Sequence, residues 1–134
     1  MLHSGDYKMQ NFLHNTRFVH MKADGMVVGF EEADIVELSV TNATLGLATL
    51  LDRLRDKYIV INEETCDVVG SNEPQVLQFS TEGDGKYTIH IMDVNQVWVL
   101  NRDEDFTPIT TAPAPPPSVR DHEKKYWMFV RVPL

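Results

Sequence analysis

The sequence lacks the features that mark a secreted or membrane-spanning chain. It has a single cysteine, Cys66, so no disulfide can form within the chain. No apolar run approaches the roughly 18 residues that cross a bilayer, and the first residues contain no apolar segment of the kind found in signal peptides. These absences predict a protein of the cytoplasm, or of a host cell's interior, that makes no membrane contact.

Motifs that carry chemistry are missing as well. The chain has no glycine-rich phosphate loop, no nucleophile elbow, no zinc-ligand spacing and no evident internal repeat. Its five histidines are dispersed, and no two of them have the spacing of local metal ligands. The sequence therefore predicts no catalytic residue, no cofactor and no firm metal site. If the protein were an enzyme, His90 and Asp93 could supply its acid and base.

The formal charge of −8 is concentrated in the middle of the chain. Residues 31–105 contain sixteen acidic and five basic residues, whereas both flanking segments are mildly basic. An acidic body repels the nucleic-acid backbone and attracts basic proteins or cations. We therefore expect a protein partner of basic character and no nucleic acid. The stretch FEEAD supplies candidate partner contacts that are also weak candidate metal ligands: Glu31, Glu32 and Asp34.

The length and apolar content suit one domain spanning residues 1–134, because 43% of the residues are hydrophobic. Apolar side chains recur at helical spacing across residues 43–58 and predict one amphipathic helix. They are Leu47, Leu51, Leu54 and Tyr58. Elsewhere the alternation has period two, and the pair Asp24-Gly25 is a hairpin signal. The expected fold is α+β, with this helix packed on a mostly antiparallel β-sheet.

Residues 107–122 are rich in proline, which favours an extended polyproline conformation and predicts a strap or linker within the domain. After it, residues 124–132 have the pattern of a terminal strand with apolar side chains on both faces. Because an unpaired strand of this kind would aggregate, we expect it to dock back on the sheet or to exchange with a second copy in a homodimer. Its aromatic residues are further candidate partner contacts: Tyr126, Trp127 and Phe129.

Residues 83–101 resemble the frataxin family. The matching positions correspond to that family's Gly-X-Tyr strand, turn and Gln-hydrophobic-Trp strand: Gly85, Tyr87, Gln96, Val97 and Trp98. The resemblance extends loosely to FEEAD and LLDRLRD, whereas the family's closing helix is absent. It implies an iron-binding protein of iron-sulfur cluster assembly, with Gln96 and Trp98 on a partner-contacting surface and the acids of FEEAD as cation contacts.

These observations together predict a small acidic, non-catalytic protein-interaction domain, such as an adaptor, an inhibitor or a viral or phage accessory protein. The resemblance offers a second hypothesis, a frataxin-like role in iron-sulfur cluster assembly. A third is a small-molecule pocket between helix and sheet, belonging to a binding domain or an enzyme.

Overall fold

Twelve β-strands and one short 3-10 helix form the regular structure of the computed structural model, which describes residues 2–81 and 83–133. The strands are β1 (Gly5–Asn11), β2 (Phe18–Met21), β3 (Val27–Phe30), β4 (Val36–Asn42), β5 (Leu47–Asp52), β6 (Lys57–Asn62), β7 (Asp67–Ser71), β8 (Leu77–Thr81), β9 (Tyr87–His90), β10 (Val97–Leu100), β11 (Thr107–Ala112) and β12 (Trp127–Arg131). The 3-10 helix spans His122–Lys125. No helix in this part of the chain has the length and apolar character needed to cross a membrane. The fold is all-β, so the α+β class predicted from the sequence is wrong.

Residues 43–58, predicted as an amphipathic helix, form the strand β5 and the turns on either side of it. Along β5 the buried side chains alternate with period two: Ala48, Leu50 and Asp52. Leu54, assigned to the apolar face of the helix, is 57% exposed. The prediction failed because β5 is paired with β4 along its length, and such tertiary pairing outweighs intrinsic helix propensity.

Turns at ten-residue intervals produce the apparent helical spacing. Asn42, Asp52 and Asn62 end three consecutive strands, and the Oδ1 atom of each accepts a backbone N–H two or three residues later. The same kind of hydrogen bond also caps the first turn of a helix. Here the chain reverses instead, because the fourth residue after each of these three strand ends has a left-handed backbone conformation. These residues are Gly46 (φ 68°), Asp56 (φ 55°) and Cys66 (φ 63°). The chain therefore contains a short internal repeat, which the sequence analysis did not detect.

Six strands close into a barrel. The antiparallel neighbours form a ring in which β1 pairs with β4, β4 with β5, β5 with β8, β8 with β9, β9 with β12, and β12 with β1. A closed ring leaves no unpaired edge, so these strands present no template for aggregation.

The other six strands form three hairpins that cover one end of the barrel. They are β2–β3, β6–β7 and β10–β11. β11 also pairs with β3 and β7, and a bridge joins Met26 to Val69 next to β3. Each hairpin lies in sequence between two barrel strands, so the chain consists of three consecutive four-strand units arranged around a pseudo-three-fold axis.

The core is continuous, and its largest members are Trp98 and Trp127, neither of which has exposed surface. Their rings meet edge to face with centroids 5.9 Å apart, a geometry that aromatic quadrupoles favour. The Trp127 Nε1–H donates to the Trp98 carbonyl oxygen over 3.2 Å. Barrel strands supply further buried residues to the same cluster: Met9, Leu38, Leu50, Leu77 and Ile89.

The C-terminal segment lies against the same chain. β12 pairs with β1 from Tyr7↔Arg131 to Asn11↔Trp127 and reaches β9 at one position. Within the proline-rich residues 107–122, the first six form β11. The remainder crosses between β11 and the 3-10 helix and is tethered by Lys125, whose Nζ donates to the Pro115 carbonyl oxygen over 2.5 Å.

Gly46 is a position where side-chain bulk should not be tolerated. A Cβ there would lie 2.6 Å from the Phe79 carbonyl oxygen, and the residue has positive φ. We expect Gly46→Ala to lower the free energy of unfolding by about 2 kcal/mol, measured by urea denaturation. Gly25→Ala is the matched control, because Gly25 also has positive φ but a Cβ added there would meet no atom within 4 Å. An equal loss in both variants would show that the contact with Phe79 has no effect.

Candidate functional site

A groove lies between the first cap hairpin and the turn that joins β5 to β6. Its volume is about 390 Å³. The lining comes from β2, β3, the β3–β4 loop and the β5–β6 turn: His20, Phe30, Glu32, Ala33, Asp34, Ile35, Arg53 and Leu54. We call this the groove. It collects residues that are far apart in sequence because the β5–β6 turn is held against the loop by the Arg53 N–H, which donates to the Ile35 carbonyl oxygen over 3.0 Å.

The upper part of the groove is apolar and open to solvent. Ile35 is 38% exposed and Leu54 57% exposed. Phe30 stacks on Phe106, a residue of the β10–β11 turn that is itself 52% exposed, with ring centroids 4.8 Å apart. On its other side Phe30 contacts the His20 ring at 4.9 Å. Three exposed apolar side chains therefore lie around the partly buried Phe30 and form an apolar patch with it, and large apolar patches on a protein surface mark interaction sites.

Polar groups at the floor of the groove are bonded to one another. Asp34 is 6% exposed. Its Oδ1 lies 2.7 Å from His20 Nδ1, and its Oδ2 accepts the Met21 backbone N–H over 2.8 Å. Since the carboxylate can only accept, the Nδ1 of His20 is the donor in this pair. The floor therefore fixes the position of the His20 ring and offers few free donors to a ligand.

Beneath the floor, Asp34 contacts a second buried carboxyl group, Asp52. Asp52 Oδ1 accepts the Arg55 backbone N–H over 3.0 Å, and its buried Oδ2 has no hydrogen-bond partner within the residues that the structure describes. Burial, together with the contact with Asp34, raises the pKa of Asp52 to about 8. Asp52 is therefore protonated at neutral pH, and its contact with Asp34 links the floor of the groove to the β5–β6 turn.

The rim of the groove is charged, mostly negatively. Glu31 and Glu32 are exposed, and neither side chain forms an ion pair within residues 2–81 and 83–133. The Glu31 backbone N–H donates to Asp105 Oδ1 over 3.0 Å, which places a third acid on this side. The Arg53 guanidinium group forms ion pairs with two acids, with its Nε 3.2 Å from Asp6 Oδ1 and its Nη2 2.6 Å from Glu37 Oε1.

The structure separates the two sets of site residues predicted from the sequence. Glu32 and Asp34 line the groove and Glu31 adjoins it, but Asp34 is buried and bonded. In the part of the chain that is described, no three metal-ligating side chains converge. Trp127 is fully buried and Tyr126 is 8% exposed, whereas Phe129 is partly buried and packs on the core.

His90 and Asp93, considered above as an acid and a base, do line one open pocket of about 400 Å³. His90 Nε2 lies 2.9 Å from Ser80 Oγ, and its Nδ1 lies 2.8 Å from the Ile91 carbonyl oxygen. The carbonyl can only accept, so His90 carries its proton on Nδ1 and accepts from Ser80. Both ring nitrogens are thus satisfied within the sheet.

No family model matches the sequence, and no curated protein is similar to it. Solved structures are similar in shape. A ricin B-like lectin of Macrolepiota procera, determined in complex with lactose, gives a TM-score of 0.80 at 16% identity over 98% of this chain and 99% of that one. A proteinase inhibitor from Coprinopsis cinerea gives 0.78 at 11% identity over 98% and 100%. A mosquitocidal holotoxin gives 0.83 at 12% identity, with 99% of this chain matching 18% of that one.

The fold is a β-trefoil. The three four-strand units described above are the three lobes of that fold, and the groove lies between the first and second lobes. At these identities the similarity establishes the trefoil and not a shared ligand.

The frataxin resemblance is therefore wrong. Its motif falls on β9 and β10, two trefoil strands that meet only at Val97↔His90. Trp98, which the resemblance placed on a partner-contacting surface, has no exposed surface and packs on Trp127. Alternating apolar residues that end in a tryptophan fit a strand of the frataxin sheet and a strand of this trefoil equally well. The motif therefore does not distinguish the two folds.

Sequence reasoning missed most of the groove residues and the adjoining Phe106; the missed groove residues are His20, Phe30, Ala33, Ile35, Arg53 and Leu54. One available signal was the ten-residue spacing of Asn42, Asp52 and Asn62, which marks turns and would have exposed Leu54 on a turn tip. No comparable signal marks Phe106, because it lies next to Phe30 only when β11 pairs with β3.

Proposed function

We propose that this trefoil is a non-catalytic protein-binding domain and that the groove with its apolar patch is the partner-binding surface. The observation that carries the proposal is the apolar patch of the partly buried Phe30 and the exposed Ile35, Leu54 and Phe106, beside the acids of the rim. An apolar centre with a charged rim is the usual anatomy of a protein interface.

The polar groups of the groove favour a protein over a sugar. Sugar recognition needs several convergent free donors and acceptors. Here His20 and Asp34 bond to each other, and Arg53 is held by Asp6 and Glu37. Both kinds of binding occur among the similar structures, which include a lectin in complex with lactose and a proteinase inhibitor.

The rim determines the chemistry of the partner. Glu31 and Glu32 lie beside the apolar patch, and the chain carries a formal charge of −8. We therefore infer a partner segment that places an apolar side chain in the groove and lysine or arginine residues against Glu31 and Glu32.

A displayed peptide library selected on the immobilised protein tests the proposal. We expect enrichment of peptides with an apolar residue flanked by basic residues. Leu54→Asp should weaken their binding at least about tenfold, because the exposed apolar contact is lost. Dissociation constants from biolayer interferometry measure this effect. Charge reversal of Glu31 and Glu32 to lysine should weaken binding most at low salt.

Leu45→Asp provides the matched control. Leu45 is 48% exposed in the β4–β5 turn and does not line the groove, so this variant should bind the peptides as the wild type does. Equal losses in the two aspartate variants would contradict the assignment of the surface. Lactose-dependent NMR shifts of groove residues, with no peptide enriched, would favour sugar binding instead.

A further inference from the structure

A second pocket, of about 290 Å³, brings together three basic side chains in this acidic protein. Lys22 comes from the β2–β3 turn, Arg55 from the β5–β6 turn and Lys57 from the start of β6. The lining also includes one acidic residue, Asp24. Residues 31–105 hold only five basic residues against sixteen acids, and two of those five line this pocket. It shares no lining residue with the groove.

Two of the three cations are held in place without being neutralised. Arg55 Nε donates to the Met21 carbonyl oxygen over 3.0 Å, and its backbone N–H is fixed by Asp52. Lys57 Nζ donates to the neutral side chain of Asn72 over 2.6 Å. Neither Arg55 nor Lys57 forms an ion pair with any residue that the structure describes.

Most donors of these side chains remain available. A guanidinium group carries five N–H donors and an ammonium group three. Among the described residues, the Arg55 side chain forms one hydrogen bond, to Met21, and the Lys57 side chain forms one, to Asn72. Lys22 is 3.5 Å from Asp24 in a pair whose side chains are 39% and 59% exposed. Such an exposed pair is weak and can yield to a ligand.

We propose that this pocket binds a tetrahedral oxyanion, a phosphate or sulfate group. Three cations against one carboxylate leave an excess positive charge that matches a dianion. The anchored guanidinium group presents its remaining N–H donors in the fixed, planar arrangement that suits phosphate oxygens. A nucleic-acid strand does not suit the site, because the surrounding acidic body would repel its other phosphates.

Titration of the ¹⁵N-labelled protein with inorganic phosphate, and separately with inorganic sulfate, tests this site by NMR. We expect saturable shifts confined to residues 21–25, 55–57 and 70. Lys57→Gln and Arg55→Gln should each weaken binding at least about fivefold, because each removes one charge-assisted contact. Lys8→Gln is the matched control, since Lys8 is exposed on β1 and away from the pocket; its affinity should equal that of the wild type.

Phosphoserine distinguishes a free anion from a group carried on a larger ligand. Affinity equal to that of phosphate supports a site for the anion alone, and tighter binding supports recognition of an ester-linked group at the same site. The proposal is overturned if chloride at equal ionic strength reproduces the shifts, or if the shifts do not saturate. It is also overturned if both pocket variants, with otherwise unchanged spectra, bind phosphate as the wild type does.

Discussion

The Asp52→Asn variant is expected to be more stable than the wild type at mildly alkaline pH. The buried Asp52 carboxyl has its pKa raised to about 8 from an ordinary value of 3.8. The folded state therefore holds a proton that the unfolded chain releases. The stability this proton confers is fully present below pH 3.8 and is lost as the pH rises through about 8. Asparagine should preserve the acceptor for the Arg55 backbone N–H and should remain neutral at every pH.

Urea denaturation across this pH range measures the effect. We expect the free energy of unfolding of the wild type to fall as the pH rises towards about 8, while that of Asp52→Asn stays nearly level over the same interval. At the upper end the variant should be more stable by roughly 2–5 kcal/mol. Asp56→Asn, which changes an exposed acid of the same turn, should leave the pH dependence intact. A wild type with no such decline would show that Asp52 is ionised in the fold.

Trp127→Ala is expected to cause the largest loss of stability. The side chain has no exposed surface, meets Trp98 edge to face and donates a hydrogen bond to its carbonyl oxygen. It also stands where β12 joins both β1 and β9. Removing it should cost about 3–5 kcal/mol from the cavity alone, a large part of the roughly 5–15 kcal/mol by which an ordinary domain is stable.

Thermal and urea unfolding, followed by far-ultraviolet circular dichroism, will measure this loss. Val130→Ala is the control on the same strand, because Val130 is 43% exposed and its truncation should cost well under about 1 kcal/mol. Trp127→Phe should lie between the two. If Trp127→Ala and Val130→Ala were equally stable, the β12 seam would not contribute to the barrel.

The parts of the fold that follow from local sequence were predictable. The hairpin signal Asp24-Gly25 does lie between β2 and β3, which pair as expected. The period-two alternation outside residues 43–58 includes Val36, Leu38 and Val40, which lie on the strand β4. Residues 47, 51, 54 and 58 fit the apolar stripe of a helix, and this pattern led to the wrong prediction. In the structure this segment contains the strand β5, which pairs with β4 and buries Ala48 and Leu50 instead.

The three-lobed arrangement was not predictable from residue identities, because the lobes share a backbone path and few side chains. The same reason applies to the groove. His20 and Asp34 come from the first lobe and Leu54 from a turn of the second, while Phe106 belongs to the third. The pairing of β11 with β3 brings Phe106 to this surface, and the backbone hydrogen bond from Arg53 to Ile35 brings Leu54. From the sequence, FEEAD indicated Glu31, Glu32 and Asp34 as partner contacts; it did not indicate that Asp34 is buried, nor the apolar patch beside the two glutamates.

The seam between β1 and β12 has a consequence for how fast the molecule folds. Tyr7 and Arg131, which face each other across it, are separated by 124 positions in the chain. Bringing such distant segments together costs chain entropy before any contact compensates for it. We therefore expect the last barrel strand to join late, in milliseconds to seconds as in other sheets of non-local pairing. Until then the apolar faces of β1 and β9 remain open to capture by other unfolded chains.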